Sequence, residues 1–102
     1  MLINEIIVCV RLSSEIDEST LSDDAWLYGA VYKSYYNGPN IRIYTEGITI
    51  GKEYRISRLN KKNITDTINV INDQGGERCY LRTLFETKSE FRQKKLEELL
   101  GI

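Results

Sequence analysis

Residues 46–86, EGITIGKEYRISRLNKKNITDTINVINDQGGERCYLRTLFE, decide the fold. Three short runs of β character follow one another there: Glu53–Arg58, Thr67–Asn72 and Arg78–Arg82. In the first, Tyr54 and Ile56 alternate with charged neighbours, as a half-buried strand requires. In the second, Ile68 and Val70 share a face, and in the third Cys79 and Leu81 face opposite to Tyr80. Asp73-Gln74-Gly75-Gly76 joins the last two, with both glycines supplying the positive φ of a tight reversal. Leu59–Asp66 reads as a polar connector. Together these runs form a barrel-like block.

Upstream, Glu5–Leu12 (EIIVCVRL) is rich in β-branched residues and reads as a first, central strand. Residues 13–45 form an insertion. Ser13–Ser22 is an acidic surface loop, and Ser22-Asp23-Asp24 is a capping hydroxyl followed by first-turn carboxylates. Leu21, Ala25, Tyr28, Tyr32 and Tyr35 fall on one helical stripe, which predicts a helix over roughly 20–35 and a strand at 41–45. The competing reading is a hairpin: Ala30–Tyr36 as one arm, Asn37-Gly38-Pro39-Asn40 as the turn, and Ile41–Thr45 as the return. Downstream, 89–100 (SEFRQKKLEELL) predicts a helix capped by Ser89 and stopped by Gly101. Its apolar side is Phe91, Leu96, Leu99 and Leu100, packed on its own barrel or on a second copy, with Lys94 and Glu98 as an i,i+4 pair. The fold class is therefore mainly β with added helix (α+β), a single domain over 1–102.

A chain of 102 residues with 41% hydrophobic and 28% charged content can build one core that buries about two-thirds of its unfolded surface. The net charge of −1 conceals a polarity. Residues 1–24 carry six acids against Arg11, a net of −5, and residues 25–64 carry seven bases against two acids, a net of +5. A basic face is compatible with that distribution, whereas a wholly basic nucleic-acid binder is not. No stretch has the length of a membrane span, and Leu2–Leu12 lacks the basic start and cleavage site of a signal peptide. Cys9 and Cys79 sit in apolar strand contexts and read as buried thiols in a reducing cytosol.

The block 46–86 also resembles small uncharacterised phage and prophage proteins. The match is carried by Ile48-Thr49-Ile50-Gly51-Lys52-Glu53-Tyr54, by Asn72-Asp73-Gln74-Gly75, and by Tyr80 and Phe85-Glu86. The resemblance covers about half the chain and implies a small Src-homology-3-like barrel in the cytoplasm of an infected bacterial cell. Its motifs mark a fold rather than an activity. The inserted helical or hairpin Tyr-rich segment and the C-terminal helix depart from the pattern, and specific function is expected there.

Catalytic chemistry finds little support. The chain has no histidine, which excludes Ser-His-Asp and Cys-His pairs and every His-containing zinc site. Gly47-x-x-x-Gly51-Lys52-Glu53 is one residue short of a phosphate loop and has Glu where a metal-binding hydroxyl belongs, so it reads as a turn entering a strand. Glu15, Asp17, Glu18, Asp23 and Asp24 belong to a solvated loop. No enzyme and no cofactor or metal are expected.

Tyrosine is the unusual feature: seven of 102 residues, four of them between Tyr28 and Tyr36. Rigid, amphipathic Tyr concentrates at binding surfaces. Tyr28 and Tyr32 are expected as core, and Tyr35 and Tyr36 as exposed contacts alongside Trp26, Asn37, Asn40 and Arg42. A second patch, a ridge of Arg42, Arg55, Arg58, Lys61 and Lys62 along two strands and their loop, with Arg78, would suit phosphates or an acidic partner. Three functions compete. The first is a phage-type accessory protein that inhibits a bacterial host or defence-system protein. The second is a sponge for a nucleotide signal, with Tyr and Trp stacking on a base and Arg42 or Arg78 holding a phosphate. The third is a nucleic-acid-binding small barrel.

Overall fold

Short alternating runs separated by glycine turns fold into seven strands and two α-helices in the computed structural model, which describes residues 1–36, 38, 40–59 and 66–101. In chain order they are β1 (Ile6–Cys9), α1 (Asp23–Leu27), β2 (Val31–Ser34), β3 (Asn40–Ile43), β4 (Glu53–Leu59), β5 (Thr67–Ile71), β6 (Glu77–Leu81), β7 (Phe85–Thr87) and α2 (Lys88–Leu100). Single 3₁₀ turns occupy Glu18–Thr20 and Arg82–Leu84. Five strands form one antiparallel sheet in the order β6-β5-β4-β1-β7, and β2 and β3 form a separate two-stranded sheet. The chain is thus mainly β with a C-terminal helix, and β1 is internal to its sheet as its apolar composition implies.

β4 is the pivot. Its first residues pair with β1 (Tyr54 opposite Ile7), and its later ones pair with β5 (Ile56 opposite Val70). Between Ile56 and Arg58 the register shifts, a bulge of the kind that bends a strand and deepens its twist. The concave side holds the core: Ile7, Tyr54, Ile56, Ile68, Val70, Tyr80, Leu84 and Phe85 are all buried. Each such aliphatic side chain contributes about 1.5–3 kcal/mol by leaving water. Tyr54 and Tyr80 meet Phe85 edge-on at 6.1 and 6.2 Å. In β6 the burial is two-sided: Cys79, Tyr80 and Leu81 are all within the core, and α1 packs against the strand. Cys9 and Cys79 are buried thiols, and burial pushes the Cys9 thiol up from its ordinary value.

The helix expected over 20–35 does not form; the hairpin does. α1 lasts five residues, from the Ser22 cap to Leu27, and Gly29 at φ +75° ends it. β2 then pairs with β3, with Val31 opposite Ile43 and Lys33 opposite Ile41. The physical reason is tertiary. Asp66 takes both the Ser22 amide (2.8 Å) and its hydroxyl (2.7 Å), which pins the helix start. Val31, Ile41 and Ile43 gain more by covering the core as strands than by extending a helix into water. The proposed turn residues Asn37 and Pro39 lie outside the described residues.

α2 also departs from expectation in three details. Its cap is Thr87, whose hydroxyl accepts from the Glu90 amide at 3.1 Å, rather than Ser89. Lys94 pairs with the buried carboxylate of Glu86 rather than with Glu98, which instead meets Lys95 at 3.6 Å. Glu86 is 6% exposed and also draws Arg11 to 3.6 Å, because a buried carboxylate needs cations more than an exposed one does. Finally, α2 lies on β1 and β7 with Phe91 half-buried, while Leu96, Leu99 and Leu100 are 50%, 83% and 62% exposed. At about 3.6 residues per turn, Leu96 and Leu100 fall on the far side from Phe91, so the leucines do not pack on the sheet.

Candidate functional site

The residues that carry the sequence motif converge on one place. The loop before β4 and the turn between β5 and β6 are stitched together by Asp73. Its carboxylate accepts from the Lys52 ammonium (2.7 Å), the Thr49 hydroxyl (2.8 Å) and the Tyr54 hydroxyl (2.9 Å). Its backbone amide donates to the Gly47 carbonyl at 2.8 Å. Tyr54 in turn accepts the Thr49 amide at 2.6 Å. The neighbouring Asn72 closes the turn by accepting from the Gln74 and Gly76 amides at 3.0 and 3.1 Å. Tyr80 completes the clasp: its hydroxyl donates to the Glu46 carbonyl and accepts from the Asn72 amide group at 3.4 Å. Gly47 has φ +84°, and a Cβ there would lie 2.6–3.0 Å from Gln74, Asn72 and Tyr80. Of the turn glycines Gly75 is at positive φ (+81°) and Gly76 is not.

Charge follows the wiring. The Lys52 ammonium, with the Thr49 and Tyr54 hydroxyls behind it, holds Asp73 below the ordinary carboxylate value, and Asp73 raises Lys52 in return. Burial, then the bond to Asp73, raises Tyr54; burial raises Tyr80. These polar atoms are engaged with one another and tie the loop before β4 to the β5–β6 turn.

The Tyr-rich segment is the opposite of this clasp. Leu27, Tyr28, Tyr32, Tyr35 and Tyr36 are 72%, 51%, 47%, 74% and 76% exposed. Tyr35 and Tyr36 stand out as expected, but Tyr28 and Tyr32 do not serve as core. Tyr28 closes α1 and belongs to no strand, and register places Tyr32 opposite Arg42, and Ser34 opposite Asn40, on the side of the hairpin away from Val31 and Ile43. Asn40 and Arg42 are exposed there, Trp26 is half-buried against the core, and Asn37 lies outside the described residues.

The basic ridge does not assemble. Arg42 belongs to β3 and Arg55 and Arg58 to β4, which are not neighbours in either sheet. Arg58 is drawn to Glu77 at 3.5 Å. Lys61 and Lys62 lie outside the described residues. Arg78 turns inward: its guanidinium lies 3.9 Å over the Tyr44 ring and donates to the Gly29 carbonyl at 3.3 Å. Beside it opens a cavity of about 460 Å³ lined by Tyr32, Ile43, Tyr44 and Glu46. A wider hollow of about 530 Å³ lies between the acidic loop (Ser14, Ile16, Glu18) and the hairpin (Lys33, Asn40, Ile41).

Among the described residues no group of three or more Cys, Asp and Glu is placed to hold a metal ion, and no helix is long and apolar enough to cross a membrane. Comparison with protein-family models, with curated proteins and with solved structures found no match to this chain.

Proposed function

We propose that this chain is a non-enzymatic, phage-type accessory protein of the bacterial cytoplasm that binds and inhibits a host or defence-system protein through its Tyr-rich hairpin. The observation that carries the reading is the exposure of Tyr28, Tyr32, Tyr35 and Tyr36 beside Leu27, within ten residues of a chain whose other tyrosines are turned inward or half-buried. Tyr32 stands on β2, Tyr28 closes α1 and Tyr35 and Tyr36 follow β2 directly, and aromatic side chains so placed offer contact area at small entropic cost, the property of interface anchors. A Src-homology-3-like barrel is the scaffold proposed. The antiparallel order β6-β5-β4-β1-β7, the bulge in β4 and the 3₁₀ turn before β7 support it.

The test is parallel capture from bacterial lysate by the wild type and by a Tyr35→Ala/Tyr36→Ala variant of unchanged melting temperature. One protein held at fixed stoichiometry by the wild type, inhibited by it, and lost in the variant is the expected result. Equal capture by both would overturn the assignment of the surface. Capture of nucleic acid that fades steeply with salt would replace it with the third reading.

A further inference from the structure

We infer that the cavity between the α1–β2 turn and the β3–β4 connection is a small-molecule site for an anionic group attached to a planar, N–H-bearing ring, the chemistry of a nucleoside monophosphate. This goes beyond the proposed partner surface and does not depend on it.

The anion contact is Arg78. The residue is half-buried, its guanidinium carbon lies 3.9 Å from the centre of the Tyr44 ring, and no carboxylate among the described residues pairs with it. Of its five N–H donors, one meets the Gly29 carbonyl, and Nε is buried with no acceptor. A cation withdrawn from water without a counter-charge is costly unless an anion arrives to share its donors. The backbone accommodates this placement: Gly29 sits at φ +75°, and any Cβ there would come within 2.8 Å of Arg78 Nη2. Set against the Tyr44 ring and tied to the Gly29 carbonyl, the guanidinium has two fixed points and keeps donors free for an anion.

The other walls select what carries the anion. Tyr32, 47% exposed, supplies an aromatic surface for a ring. Glu46 accepts the Tyr44 hydroxyl at 3.4 Å and adds a negative acceptor to the same cavity. A bare phosphate gains Arg78 but meets Glu46 as a like charge. A ring with N–H donors satisfies Glu46 while its phosphate satisfies Arg78. The volume of about 460 Å³ lies within the roughly 300–1,000 Å³ of small-molecule pockets.

The experiment is calorimetric titration of the full chain with AMP, GMP, CMP and UMP, with the parent nucleosides, and with inorganic phosphate. At least one monophosphate is expected to bind more tightly than both its nucleoside and phosphate. Tyr32→Ala should weaken it by roughly tenfold or more, as loss of a stacking contact does, with the melting temperature unchanged. Arg78→Lys should weaken the monophosphate but not the nucleoside. Because Arg78 also braces Gly29, Tyr32→Ala keeps the test valid if Arg78→Lys fails to fold. Overturning results are no monophosphate binding, binding indifferent to Tyr32→Ala, or a poly-glutamate peptide that binds at the same residues more tightly than every monophosphate.

Discussion

Two regions of similar polarity in the sequence are built in opposite ways. Around Asp73, the loop 46–54 and the turn 72–76 engage their polar groups with each other: three donors meet one carboxylate, and two buried tyrosine hydroxyls each receive an N–H and donate to an oxygen. Along 27–36, tyrosines of the same chemistry face solvent on and beside β2, whose hairpin is held to the core by Val31, Ile41 and Ile43. A tyrosine whose hydroxyl is satisfied internally specifies a fold, whereas one left exposed is available to something else. The recognisable motif and the expected working surface are therefore different parts of the molecule.

The contrast is breakable by mutation. The largest loss of stability is expected from Gly47→Ala: a non-glycine residue in the left-handed region costs about 1–3 kcal/mol, and its Cβ must also displace Asn72, Gln74 and Tyr80. Urea denaturation measures it, and a midpoint unchanged from wild type would show that the clasp is loose. Asp73→Ala should come next, since it strands the Tyr54 hydroxyl, Thr49 and Lys52 together. Tyr80→Phe should cost about 1 kcal/mol, the net worth of a hydrogen bond, because the Glu46 carbonyl loses its donor. At the small end, Tyr35→Ala/Tyr36→Ala should shift stability by no more than about 0.5 kcal/mol, as exposed side chains do.

Acidity sharpens the same comparison. Asp73 is held below its ordinary value of 3.8, so its contribution is present above that pH and is lost as pH falls through its folded value. Tyr54 is raised above 10.0, so its contribution is present below pH 10 and is lost as pH rises through its folded value. Melting temperature against pH should fall at both ends for the wild type. In Asp73→Ala the acid limb should flatten, while Tyr35→Ala/Tyr36→Ala should trace the wild-type curve.

Much of the sheet was legible because its signals are local. Tyr54 and Ile56 alternate with charges, Ile68 and Val70 with polar residues, and Asn72–Gly76 is a turn by composition, so β4, β5 and β6 fall within a residue or two of the expected runs. The segment 20–35 was not legible, because its stripe of Ala25, Tyr28, Tyr32 and Tyr35 fits a helix as well as Val31, Ile41 and Ile43 fit a hairpin. What decides it is the packing of Val31, Ile41 and Ile43 on a core assembled from distant strands, which no window of sequence displays. The site divides the same way. Exposure of Tyr35 and Tyr36 follows from local composition, whereas alternation puts Arg78 on the face of Tyr80 but leaves hidden that it meets Tyr44 and Gly29 there. Lys94 found Glu86 rather than Glu98 because Glu86 is the buried carboxylate of the two.

The most direct measurement is a crossed pair: melting temperature and partner capture, each recorded for Asp73→Ala and for Tyr35→Ala/Tyr36→Ala at a temperature where both remain folded. Asp73→Ala should lower the melting temperature and retain capture, and Tyr35→Ala/Tyr36→Ala should retain the melting temperature and lose capture. If instead the folded Asp73→Ala protein loses capture while the tyrosine variant keeps it, the working surface lies on the clasp and the division drawn here is wrong.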